Sequence, residues 1–79
     1  MSLMKRFALD LDEMATAAAG AARLSTSTER LTALTSVFQE CGKRANQYFD
    51  PRFAARQLVR ECAREFRIER AQAKELTHV

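Results

Sequence analysis

The sequence predicts an all-α protein of three helices. Two glycines and one proline in 79 residues leave almost no turn punctuation, and a sheet needs turns. Apolar side chains recur at spacings of three and four in three successive segments. The two clear breaks, at Ser25-Thr26-Ser27-Thr28 and at Asp50-Pro51, separate those segments. The expected helices cover roughly 4–24, 27–49 and 51–76, within one small domain spanning 1–79. Met1-Ser2-Leu3 stands before a second methionine, Met4, and reads either as native sequence or as a leader added for expression. Residues 77–79 are expected to fray.

In the first segment Met4, Phe7, Leu11, Met14, Ala15, Ala18 and Ala22 form one stripe. The alanines between 15 and 22 favour helix and add little bulk, so another helix can come close. Gly20 weakens the segment by about 1 kcal/mol relative to alanine. Asp10, Asp12 and Glu13 read as solvent-facing acids, with at most a weak attraction for cations.

Thr26 with Glu29 three residues later matches a capping box and starts the second helix. Leu31, Leu34, Phe38, Cys41, Ala45, Tyr48 and Phe49 then share one face, the cleanest amphipathic pattern in the chain. Proline disfavours helical geometry in the residue before it. Asp50 suits an N-cap and Pro51 a first helical position. The third helix therefore restarts at once, across a link of about one residue. So short a link predicts a corner: helices 1 and 2 as an antiparallel hairpin, with helix 3 leaving at an angle.

Helix 3 places Ala55, Leu58, Val59, Cys62, Phe66, Ala73 and Leu76 on one face. Ile68 falls off it, which implies either an exposed Ile68 or a break near Arg67. A chain this short buries only about 60% of its unfolded surface, and fourteen of its apolar residues are alanine. Three apolar stripes with a thin core predict a homodimer or an obligate complex, with helix 3 in the interface.

The charge pattern of helix 3 is unusual. At about 100° per residue, Arg52, Arg56, Arg60, Arg64, Arg67, Arg70 and Lys74 fall within one third of the circumference. Glu61, Glu65, Glu69 and Glu75 occupy the adjacent third. The protein's entire net charge of +3 sits here, because residues 1–50 hold six acids and six bases. A helix tuned for stability alternates signs at i,i+4, whereas this one stacks like on like at a small cost. Such a ridge is most simply a solvated face whose long stems cover apolar surface, or a partner for the acids of helix 1. Alternatively it docks an anion, since the arginine fork matches carboxylate or phosphate.

The segment 59–76 also resembles, loosely, the apolar spacing of a DNA-binding helix-turn-helix. Ala71, Gln72 and Lys74 would then lie on a recognition helix. The position that usually holds glycine in the turn is Arg67, and nothing follows the second helix to support it.

Nothing in the sequence names a reaction. The one histidine, His78, is next to the C-terminus. Cys41 and Cys62 lie on apolar stripes, where a thiol behaves as a small hydrophobe. Two cysteines 21 apart do not make a zinc site, and an inter-helix disulfide between them is geometrically conceivable but not expected in a reducing cytoplasm. No glycine-rich phosphate loop is present, and no apolar run approaches the ~20 residues of a membrane span.

The sequence thus predicts a cytoplasmic, non-enzymatic protein–protein interaction module of adaptor, chaperone-like or regulatory type, without cofactor or metal. Arg52, Arg56, Arg60, Arg64, Arg67, Arg70 and Lys74 are the candidate partner- or phosphate-binding residues. Tyr48, Phe49, Phe53, Leu58, Val59 and Phe66 are the candidate interface residues, although Tyr48, Phe49 and Phe53, clustered at the Asp50-Pro51 corner, read more simply as a core plug where helices 2 and 3 meet. The expected partner is a second copy or a protein with an acidic face. The alternative is a DNA- or RNA-binding regulator that sets the same ridge on phosphates.

Overall fold

The computed structural model describes residues 2–77. His78 and the expected fraying at 78 and 79 lie outside that range. Three helices make up the protein: α1 (Leu3–Ala22), α2 (Ser27–Ala45) and α3 (Pro51–Thr77). No helix of the described residues is long and apolar enough to cross a membrane.

Each helix starts where a side chain can satisfy its first free N–H groups. The Ser2 hydroxyl accepts from the Lys5 N–H at 3.3 Å. Thr26 and Glu29 form the reciprocal capping box. The Glu29 N–H donates to Thr26 Oγ1 at 3.1 Å, and the Thr26 N–H donates to Glu29 Oε1 at 3.2 Å. Asp50 caps α3 by accepting from the Phe53 N–H at 3.1 Å, and Pro51 takes the first helical position. Arg30 braces the α1–α2 turn by donating to the carbonyls of Leu24 and Ser25 at 2.8 and 3.1 Å.

The second helix is shorter than its stripe suggests. It ends at Ala45, not near Phe49, and residues 46–50 form the link to α3. The N–H groups of Asn46, Gln47 and Tyr48 bond three residues back, which tightens the chain into turns. Five residues fall within the two to eight common between neighbouring helices in bundles.

The three stripes meet in one core. Met14, Ala18, Cys41, Ala45, Ala54, Leu58 and Cys62 are buried there. Phe7, Leu11, Leu34, Val37, Phe38, Tyr48, Ala55 and Val59 pack around them. Leu58, Cys41 and Cys62 are wholly enclosed. Every helix touches both others, and α1 with α3 is the most extensive pairing. At one end of that pairing Leu3, Met4 and Phe7 surround the same cleft as Phe53 and Ala54. At the other, Arg70 donates to the Ala22 carbonyl at 3.1 Å, and Arg23 pairs with Glu69 at 3.1 Å. The small side chains of α1 permit this approach. Gly20 is not what permits it, because a Cβ added there would meet nothing within 4 Å.

α3 runs unbroken through Arg67, and Ile68 is partly exposed at 38%. A helix-turn-helix over 59–76 would need a turn near Arg67, and that segment is helical throughout. At 1.5 Å per residue the helix is about 40 Å long. It sets the long dimension of a molecule measuring 46 × 21 × 17 Å.

Candidate functional site

Spacing alone places Arg52, Arg56, Arg60, Arg64 and Arg67 on one side of α3, and all five are exposed. Arg64 bonds Glu61 and Glu65 at 3.2 and 3.4 Å. Arg52, Arg56, Arg60 and Arg67 make no ion pair among the described residues. Arg70 is half-buried and spends one donor on the Ala22 carbonyl. Lys74 is exposed in the last turns.

The acids of α1 do not serve this ridge. Asp10 and Glu13 face Arg44 of α2, whose Nη1 donates to Asp10 Oδ1 at 3.0 Å and to Glu13 Oε2 at 2.6 Å. The one ion pair to α3 from this side among the described residues has the opposite sense, with Arg23, the C-cap of α1, holding Glu69 of α3.

The six expected interface residues separate into two groups. Leu58 is fully buried inside the bundle, and Val59 packs against the same core. Phe66 is half-buried. Tyr48 is held internally, with its ring edge-on to Phe7 at a centroid distance of 5.2 Å. Its hydroxyl donates to Asp10. Leu58 is thus spent on the chain's own fold, since the core closes around it within one copy. Phe49 and Phe53 are on the outside, at 102% and 54% exposure. With Met4, 85% exposed, and Leu3 they bring large apolar side chains to the end of the molecule where α1 and α3 begin. An open cleft of about 290 Å3 lies there, lined by Leu3, Met4, Phe7, Tyr48, Asp50, Phe53 and Ala54. Arg52 adjoins Phe53 in sequence, and Arg56 follows one turn later.

Asp10 is the residue that sequence reasoning misplaced. It is buried rather than solvent-facing, at 8% exposure. It accepts from Arg44, from Gln47 Nε2 at 3.3 Å, and from the Tyr48 hydroxyl. Burial raises the Tyr48 pKa to about 12, aided by the hydrogen bond to Asp10 and the carboxylate's charge. The Arg44 guanidinium is held still more firmly in its charged form, first by the hydrogen bond to Glu13 and, against the cost of burial, by the bond to Asp10. This network fastens the α2–α3 link to α1, and so fixes where Phe49 and Phe53 stand. A signal was available: Asp10 sits three residues after Phe7 and four before Met14, inside the apolar stripe. A charge at a core position needs partners.

A second groove, between α1 and α3, is lined by Asp12, Glu61, Glu65 and Glu69 over Ala8, Ala15 and Ala19. These glutamates line the groove against α1, while Arg52, Arg56, Arg60, Arg64 and Arg67 are exposed. No group of three or more metal-ligating side chains occurs among the described residues. No family model matches this chain, and neither a curated protein nor a solved structure is found to be similar to it.

Proposed function

We propose that the protein is a small non-enzymatic binding module that docks an acidic, apolar segment of a partner protein on the end of the bundle where α1 and α3 start. The observation that carries this reading is the exposure of Phe49 and Phe53 beside Arg52 and Arg56. Large apolar groups gathered on a small surface favour coverage. Aromatic residues and arginine are also the types enriched where binding energy concentrates. The cleft is small for a whole ligand and suits a side chain or two from a partner helix. Carboxylates on that helix would take the arginine forks bidentately. The contact differs from a seam along the whole of α3, because Ala54, Leu58 and Cys62 are already used inside. A second copy of the chain is one partner of this kind, and light scattering on a size-exclusion column reads it directly. The setting on this reading is the cytoplasm.

Fluorescence anisotropy with two labelled probes tests the proposal. One probe is an amphipathic helical peptide of glutamate and leucine, and the other is a generic DNA duplex. Expected is binding of the peptide, weakened about tenfold by Phe53→Ser and less by Arg56→Gln. A duplex bound with affinity falling steeply in salt, abolished by Arg56→Gln and indifferent to Phe53→Ser, would replace this reading with the nucleic-acid one. The five exposed arginines along the unbroken α3 are what favour that second reading.

A further inference from the structure

We infer that Cys41 and Cys62 form a redox clasp, a dithiol inside the bundle that closes to a disulfide and ties α2 to α3. Their sulfurs are 3.6 Å apart, each is the other's hydrogen-bond partner, and both side chains are fully enclosed. A disulfide needs sulfurs about 2.05 Å apart. The remaining approach of about 1.5 Å is within reach of side-chain rotation and a small adjustment of two helices already in contact. Two cysteines packed only as small hydrophobes could face any neighbours in this core. These face each other, from different helices, with 21 positions between them in the chain.

The oxidant class is a small-molecule disulfide such as oxidised glutathione, RS–SR. The Cys41 thiolate attacks one sulfur of RS–SR, forming Cys41–S–SR and expelling RS⁻. Cys62, losing its proton, attacks the Cys41 sulfur and expels the second RS⁻. The two protons released from the thiols convert both leaving groups to RSH. The protein is thereby oxidised by two electrons, and RS–SR is reduced to two RSH. Cys41 is the first nucleophile. In the closed dithiol the hydrogen bond from Cys62 lowers its pKa, burial opposes this, and Arg44, on the same helix, lowers it further and stays beside Cys41 when α2 opens from α3. Cys62 is raised, by its bond to Cys41 and by burial. The mixed disulfide does not fit the closed core, so exchange waits on a local opening of α2 from α3. Closure then locks α3, the helix that carries Phe53 and the exposed arginines, against α2.

Equilibrating the full chain in glutathione buffers of graded redox ratio, with acid quenching and alkylation, tests the clasp. Expected is a monomeric species lighter by two hydrogen atoms that resists alkylation. Tryptic peptides 31–43 and 61–64 should be linked in it, and it should melt roughly 10 °C higher than the reduced form. Cys62→Ala should abolish the species. Should that variant fail to fold, the peptide linkage in the native chain still decides. Both thiols alkylated at every ratio, glutathione adducts in place of the bridge, a disulfide between two chains, or a bridged form that melts below the reduced one would each overturn the inference.

Discussion

Along α3, Ala54, Leu58 and Cys62 follow one another at four-residue steps, and all are buried. Arg52, Arg56 and Arg60 precede them by two residues each and are all exposed. Two residues on a helix are about 200° of rotation, so the rows lie on opposite sides. One period serves two physical ends. The inner row gains free energy by leaving water. The outer row costs a little, because like charges one turn apart repel. By charge alone, the inner row favours the fold and the outer row slightly opposes it.

The comparison breaks most severely at Leu58. Leu58→Ala leaves a void in a core with few large side chains, and should destabilise the fold by about 3 kcal/mol. A chain of this length has only about 4–12 kcal/mol in all. Urea unfolding should show the loss, and the melting temperature should drop by roughly 15 °C. A loss no larger than an exposed arginine gives, within about 0.5 kcal/mol, would mean that the inner row is not what holds α3.

Tyr48 tests a narrower point, whether the link before α3 is fixed by a specific polar contact. Its folded pKa of about 12 lies above the ordinary 10. The phenol therefore contributes its full stability below pH 10 and loses it as the pH climbs towards 12. Because the ring is only half-buried, we discount the contribution for solvent to about 1 kcal/mol. Tyr48→Phe should cost that amount at neutral pH and should not show the parent's extra loss of stability between pH 10 and 12. This is the chain's one tyrosine and there is no tryptophan, so tyrosinate absorbance reads the same titration directly. A midpoint near 10 would mean that the hydroxyl is solvated and the contact with Asp10 is not formed.

These cases also mark how far the residues could be read in advance. The three helices and both caps followed from spacing and from Thr26, Glu29, Asp50 and Pro51, because capping is local chemistry. The end of α2 did not follow. Tyr48 and Phe49 continue the stripe from Ala45, yet the chain leaves the helix at Asn46, and Tyr48 reaches back to Asp10 from the link. That contact spans 38 positions, and no local rule carries it. The ridge was legible as a row, since rotation about a helix axis needs only numbering. Which apolar residues stay outside was not, because Leu58 and Phe53 differ by tertiary packing and not by type.

The smallest effect is the most direct test of the outer row. Arg56 stands one turn from Arg52 and one turn from Arg60, with no ion pair among the described residues. Arg56→Gln removes two like-charge contacts, keeps most of the aliphatic stem, and barely changes helix propensity. Stability should rise by a few tenths of a kcal/mol at low ionic strength. The gain should vanish near 1 M salt, where the screening length falls to about 3 Å. Paired urea titrations at the two salt concentrations measure it. A fall in stability at both would show that the Arg56 stem covers apolar surface and helps to hold the fold. The arginine row would then be part of the structure, and its charge would need no partner to explain it.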